Sequence, residues 1–349
     1  MTPSRGEPAS LVVADAGQGA VRATVTGRTL FRIPRPVRDF IIEGVAAAPG
    51  DRTFYLAGAV PVPDGTEKLE FFRVVLAANG RPGPARRLPG APVIVPFPIS
   101  SNGLSTIAVA VSPDGRELAY APDTQLYAQG DAGKYPPIIT VQSVATGQRH
   151  TWSLWPESMA QISSLSWTAG DQLGFAALVG DAAVSNGTVV RDPRSELSVL
   201  MVLNPALPGA SLMTDSRFVR YAATAVSASG DAPAPAGPQW GILSANGRSA
   251  YTLIRTPRGK YQLAVISLAT GRMTRVLVSG PQAVVSDPLS VDGDNLLVPL
   301  NFRHLPHGKA YYISGHYVRI DVSTGAITPL PFPIYFSADA PLPPVELVW

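Results

Sequence analysis

Ser112-Pro113-Asp114-Gly115-Arg116-Glu117-Leu118-Ala119-Tyr120 sets a Pro-Asp-Gly turn between two apolar runs, 107–111 and 118–121. Proline presets the backbone at the first corner of a turn, and glycine accepts the positive φ that closes it. Apolar runs on both sides of such a turn read as a β-hairpin. Looser copies recur at Ala48-Pro49-Gly50-Asp51, Thr168-Ala169-Gly170-Asp171, Ser244-Ala245-Asn246-Gly247 and Ser290-Val291-Asp292-Gly293. Each is followed by an apolar run, at 53–56, 173–177, 250–254 and 296–300.

A second pattern follows each of these: an apolar run that ends in a Thr-Gly-like turn. Clear cases are 141–144 with Thr146-Gly147, 263–268 with Thr270-Gly271, and 317–322 with Thr324-Gly325. Weaker ones are 71–76 with Asn79-Gly80 and 199–203 with Pro208-Gly209. Pairing the two patterns makes five four-stranded units of roughly 40–75 residues, at or above the period of a propeller blade. The ends supply a sixth unit. The run 11–14, a turn at Gln18-Gly19 and the run 21–25 form a hairpin with no first half, and 345–349 is a strand with no second half. Zipping the two together would close a ring and remove two sheet edges.

Helical periodicity is almost absent. The fold expected is therefore all-β: a single β-propeller spanning 1–349, closed by N- and C-terminal strands in one blade. Six blades fit best, with five and seven left open. Residues 1–8 read as a flexible N-terminus. The stretches 59–69, 123–137 and 180–196 read as loops, and 222–238, rich in Ala, Pro, Ser and Gly, as a mobile insertion.

The stretch 112–120, followed by a strand that ends in Ala145-Thr146-Gly147, resembles the repeat of TolB-like propellers. The hairpin Val12-Val13-Ala14-Asp15-Ala16-Gly17-Gln18-Gly19-Ala20-Val21 is similar to a unit of actinobacterial propeller proteins, in which the propeller often follows a membrane anchor. That resemblance implies a binding platform, and it implies nothing about an activity.

Composition limits the function classes. Of 349 residues, 46% are hydrophobic, which supports a large core. Charged residues make up 15%, against about 25% in an average soluble domain, so polar surface falls to uncharged side chains. The net charge of +3 does not mark a nucleic-acid-binding protein. Cysteine is absent, so disulfides, thiol catalysis and Cys-ligated metals are excluded. No run of about 18 apolar residues spans a membrane. As it stands the chain reads as cytoplasmic; an apolar segment upstream of Met1 would place it outside the membrane, anchored.

Candidate sites are sparse. His304, His307 and His316 fall in one segment with Tyr311 and Tyr312. Together the histidines could approach a metal, although Pro306 forbids the helix that would align them, and a polar aromatic loop explains them equally. Asp292, Asp294 and Asn295 lack the further Glu of a calcium loop and read as a turn. There is no Gly-x-Ser-x-Gly elbow and no phosphate loop. The densest basic stretch holds Arg22, Arg28, Arg32, Arg35 and Arg38 with Phe31 and Phe40, and could meet an anionic partner or a membrane surface. A solvated loop enriched in arginine, which outnumbers lysine throughout the chain, is the plainer account.

Two functions fit this sequence. The first is a non-catalytic propeller, monomeric and without cofactor, that binds a protein or peptide partner on one face. Partner contacts would then come from Arg28, Arg32, Arg35, Arg38, Tyr311 and Tyr312. The second is a propeller hydrolase or lyase acting on a lactone, sugar or peptide at the central channel. Such a site usually needs inward acids, whereas the innermost runs 109–111, 165–167 and 240–243 carry none.

Overall fold

The computed structural model describes residues 10–15, 18–50, 52–63, 66–95, 107–122, 137–154, 159–180, 182–185, 188–191, 197–207, 209–219, 238–255, 261–279, 283–285, 290–292, 295–303, 312–337 and 346–348. Blade 1 holds β1 (Ser10–Asp15), β2 (Gln18–Ala23) and β3 (Thr29–Ile33). Blade 2 holds β4 (Ile41–Ala47), β5 (Thr53–Pro61) and β6 (Glu67–Val75), with an outer strand split into β7 (Arg86–Arg87) and β8 (Val93–Val95). Blade 3 holds β9 (Ile107–Val111), β10 (Glu117–Pro122), β11 (Ile138–Ser143) and β12 (Arg149–Ser153). Blade 4 holds β13 (Met159–Trp167) and β14 (Leu173–Gly180), then a separate hairpin of β15 (Ala182–Ser185) and β16 (Thr188–Arg191). It continues with β17 (Leu197–Leu203), the one-turn helix α1 (Leu212–Asp215) and β18 (Ser216–Phe218). Blade 5 holds β19 (Pro238–Leu243), β20 (Ser249–Arg255), β21 (Tyr261–Ser267) and β22 (Met273–Ser279). Blade 6 has an inner strand split into β23 (Ala283–Val285) and β24 (Ser290–Asp292), then β25 (Asn295–Arg303), β26 (Tyr312–Asp321) and β27 (Ile327–Ser337).

The last strand, β28 (Glu346–Val348), joins blade 1. It pairs with β1 through Val12↔Val348, Val13↔Leu347 and Ala14↔Glu346, giving the order β28-β1-β2-β3. Among the described residues, six small antiparallel sheets thus stand in a ring, as a six-bladed propeller closed by head-to-tail zipping.

The core lies between blades. Val12, Ile33, Phe40, Phe54 and Phe72 fill the layer between blades 1 and 2. Tyr55, Phe71, Leu118 and Tyr120 fill the next layer, and Trp152, Ile162, Trp167 and Phe175 the layer between blades 3 and 4. Leu200, Leu243 and Ala250 join blades 4 and 5; Leu253, Leu263, Val298 and Ile320 join blades 5 and 6. Trp152 and Trp167 are buried in the core. The side chains of Trp155, Trp240 and Trp349 lie outside the described residues.

Both turn patterns are built by repeated hydrogen bonds. Ser112 Oγ donates to Asp114 Oδ1 (2.7 Å) and accepts from Glu117 N (2.9 Å). Ser244 does the same with Asn246 Oδ1 (2.8 Å) and Ser249 N (2.9 Å). In blade 4 the equivalent position is Thr168, and Asp171 takes φ 55° where Gly115 and Gly247 stand at 73° and 67°. The Thr-Gly turns share one geometry, with Gly27, Gly147, Gly271 and Gly325 at φ 66°, 76°, 67° and 77°.

Several sequence expectations change. The expected Gln18-Gly19 turn lies inside β2, because Gln18 pairs with Asp15 and Gly19 with Ala14. Thr26-Gly27 is a Thr-Gly turn overlooked in the sequence, and it carries the chain into β3 where a loop was expected. The 59–69 stretch is mostly strand, because β5 and β6 pair as far as Pro61↔Glu67. The 180–196 stretch contains the β15–β16 hairpin. No Thr-Gly-like turn closes β17; α1 intervenes instead. Residues 1–8 and the expected insertion 222–238, apart from Pro238, lie outside the described residues.

The outermost strands are blunted as edges. β7 and β18 are short, β3 has a bulge at Leu30, and β22 has two register shifts. β27 carries Pro329, Pro331 and Pro333 at alternate positions, where the missing N–H removes one donor after another from a single edge.

The Thr-Gly turn of blade 6 gives a pH prediction. Asp321 accepts from Ser323 Oγ (2.7 Å) and Thr324 N (2.9 Å), which lowers its carboxyl from 3.8 to about 2. A depressed carboxylate stabilises the fold above its unfolded pKa, and the contribution fades as pH falls through the folded value. The turn of blade 6 should therefore hold from neutral pH down to about pH 4 and loosen between there and about 2. A carboxyl 13C titration should place the Asp321 midpoint well below that of an ordinary aspartate, and Ser323→Ala should raise it; equal midpoints would refute the assignment.

Candidate functional site

Strand direction sorts every connection onto one of two faces. In each blade the innermost strand ends, and the second begins, on the face that carries both turn patterns, at 24–28, 48–52, 112–116, 144–148, 168–172, 244–248, 268–272, 293–294 and 322–326, together with the longer connections 76–85 and 204–215. We call this the turn face. The connections 34–40, 62–66, 96–106, 123–137, 154–158, 181–196, 219–237, 256–260, 304–311 and 338–345 all leave from the opposite, loop face. Alternation of strand direction imposes this division once the order within each blade is known.

The inner strands are stitched to one another. Ser164 Oγ donates to the Gly241 carbonyl, and Leu243 N donates to Ser166 Oγ, both at 2.8 Å. Trp167 Nε1 donates to the Ala110 carbonyl at 3.3 Å. Gly44 lies so close to β9 that a Cβ there would stand 2.4 Å from the Ile107 carbonyl oxygen. The hydroxyls of the inner strand of blade 4 thus serve to hold blade 5.

Sequence reading missed an inner-strand acid. β4, β13 and β19 each carry one extra residue against their partner strand: Glu43, Ser163 and Gln239. Each lies four positions before the end of its strand, at Ala47, Trp167 and Leu243. Bulges of this kind re-aim the local backbone and are common beside sites. Glu43 is 8% exposed and has an interaction partner. Aligning the units on Ala48, Thr168 and Ser244 sets these three polar residues in one column, a signal that the turn patterns alone do not carry. Among the described residues no group of three His, Asp or Glu side chains converges as a metal site.

The basic stretch is divided by the fold. Arg28 lies at the turn-face end of β3, and Arg32 near its loop-face end. Arg35 and Arg38 lie in the 34–40 connection between blades 1 and 2, and all four are exposed. The aromatic residues do not accompany them to the surface. Phe40 is fully buried, with its ring edge-on to Phe72 at 5.0 Å, and Phe31 is half-buried against the same cluster. Phe40 N donates to the Val37 carbonyl at 3.4 Å, and Asp39 holds φ 61°, the left-handed region. Arg38 and Asp39 approach to 3.6 Å, both exposed.

Other arginines serve the scaffold. Arg149 Nε donates to Gln142 Oε1 (2.7 Å), and Gln142 Nε2 donates to the Pro89 carbonyl of blade 2 (2.9 Å). Arg275 Nη1 donates to the Val322 carbonyl of blade 6 (2.7 Å). His150 stacks on Trp152 at 4.0 Å, and its Nε2 donates to the Gly209 carbonyl (2.6 Å), tying blade 3 to blade 4.

The histidine segment is only partly described. His304, His307 and Tyr311 lie outside the described residues, on the connection that leaves β25 at the loop face. Tyr312 opens β26 opposite Ser337, and His316 lies inside that strand opposite Leu300 and Pro333. Asp292 pairs with Asn295, and Asp294 lies outside the described residues. No helix among the described residues is long and apolar enough to cross a membrane.

No protein-family model matches this sequence, and no curated protein does. Solved structures match by fold. TolB from Acinetobacter baumannii aligns with a TM-score of 0.51 at 13% identity, over 97% of this chain and 65% of that one. A protein from Agrobacterium tumefaciens assigned as a TolB aligns at 0.50 and 10% identity, over 97% of this chain and 98% of that one. The chain has a TolB-like β-propeller fold and spans about two thirds of the Acinetobacter protein.

Proposed function

We propose that this protein is a non-catalytic binding platform whose loop face takes a protein or peptide. The asymmetry of the ring supports this reading: short hydrogen-bonded turns close most of one face, while the longest connections gather on the other. A rigid scaffold that presents variable loops on one face is the arrangement by which binding surfaces are built. The inner-strand hydroxyls Ser164 and Ser166 already bridge blades. The competing reading, a hydrolase or lyase at the central channel, has Glu43, Asp292 and Glu346 as the acids on described inner strands, one each on blades 2, 6 and 1.

Panning a random peptide library against the purified protein tests the platform. Enriched peptides should compete with one another and should protect loop-face amides from hydrogen exchange, 34–40 and 62–66 among them. Turn-face amides at 112–116 and 244–248 should stay unprotected. Binders confined to the turn face, or turnover of a lactone, glycoside or peptide that is lost in Glu43→Gln, would overturn the reading.

A further inference from the structure

We infer that the 34–40 connection docks an acidic peptide segment of a partner protein, with its carboxylates taken by Arg35 and Arg38. This rests on the platform reading and names the partner chemistry for one part of the loop face.

Four observations converge on this segment. The first is charge: between Ala16 and Ile42 the chain has five arginines and one acid, Asp39. Arg35 and Arg38 are exposed, whereas Arg149 and Arg275 are engaged on carbonyls of neighbouring blades. Asp39 offsets little, because its contact with Arg38 is long and both groups stand in water.

The second is preorganisation. Pro34 and Pro36 fix two of the seven backbone φ angles, and Phe40 anchors the far end in the core against Phe72. A loop already held in one shape loses little entropy on binding. The third is Asp39 at φ 61°, a conformation uncommon outside glycine, held beside the exposed guanidinium groups.

The fourth separates a peptide from a lipid surface. Insertion into a membrane surface draws on aromatic or large aliphatic side chains beside the basic ones. Here the aromatic residue of the segment points inward, and only Val37, 36% exposed, offers apolar contact. All the cations are arginines, whose planar fork suits paired carboxylates.

Binding of a fluorescein-labelled twelve-residue poly-glutamate peptide, measured by anisotropy at low salt, tests the inference. Wild type should bind, and the affinity should fall with added salt. Arg35→Glu with Arg38→Glu should weaken binding by about tenfold or more, and Arg35→Lys with Arg38→Lys by less. The turn-face pair Arg116→Glu with Arg248→Glu should stay within about twofold. All these side chains are exposed, so unchanged melting curves will certify the variants. No binding by wild type, or equal binding by the charge-reversed variant, overturns the inference. Binding to phosphatidylserine vesicles through Arg35 and Arg38, with none to the peptide, overturns it in favour of a membrane. Library peptides that bind the loop face regardless of Arg35 and Arg38 sink this inference and leave the platform standing.

Discussion

Removing residues 345–349 should lower the melting temperature by on the order of 10 °C. The strand lost is the inner edge of blade 1. Val12, Val13 and Ala14 would lose their partners, and Val12 and Val13 are 0% and 1% exposed. A buried backbone group left without a partner costs about 1–3 kcal/mol, so three lost pairings amount to several. Ring closure goes too, because blade 1 meets blade 2 through Ile33, Phe40 and Phe72 and meets blade 6 where Gly27 packs on Pro331. A circular permutant distinguishes this from general fraying. β28 ends and β1 begins on the same face, so a short linker can join them while new ends open in the 256–260 connection. The permutant should melt close to wild type, since the sheet stays complete. A truncated protein that melts within about 2 °C of wild type would mean the zipped strand contributes little.

Gly44→Ala should be strongly destabilising. The new Cβ would lie 2.4 Å from the Ile107 carbonyl oxygen and 2.7 Å from Val109 Cγ2. The first obstacle is backbone, so blades 2 and 3 must separate along their inner strands. Overpacking of this kind costs about 1–3 kcal/mol and sometimes more. Gly115→Ala is the control. It has nothing within 4 Å, but its φ of 73° still penalises a side chain by about 1–2 kcal/mol. Urea unfolding should rank wild type above Gly115→Ala and Gly115→Ala above Gly44→Ala, with similar slopes. Equal midpoints for the two variants would mean the inner strands pack more loosely than these contacts imply.

Legibility in this chain tracks the range of the forces involved. The Ser-x-Asp/Asn-Gly and Thr-Gly turns are local: each hydroxyl or amide meets its partner within five residues, and each glycine takes its positive φ there. Their recurrence was enough to count blades and to pair the two ends of the chain. Thr26-Gly27 shows the limit of that reading, because the same signal was present and was hidden by an assumed hairpin one turn earlier. Asp171 shows another limit, since an aspartate fills the position that glycine marks elsewhere.

The candidate site was far less legible. Arg28, Arg32, Arg35 and Arg38 look like one patch in sequence, but the length of β3 sets Arg28 at the opposite end of the blade from the other three. Phe40 reads as a surface aromatic beside arginines until Phe72, from the third strand of blade 2, claims it. Glu43 belongs to an apolar strand and is singled out only by the register of β4 against β5.

By itself the sequence determined the blades, their turns and the meeting of the two ends, since turn chemistry and alternating apolar runs act over a few residues. Tertiary structure alone decided which arginines bridge blades and which face water, and where the inner strands bulge. Those outcomes depend on contacts between strands far apart in the chain, which no local pattern encodes.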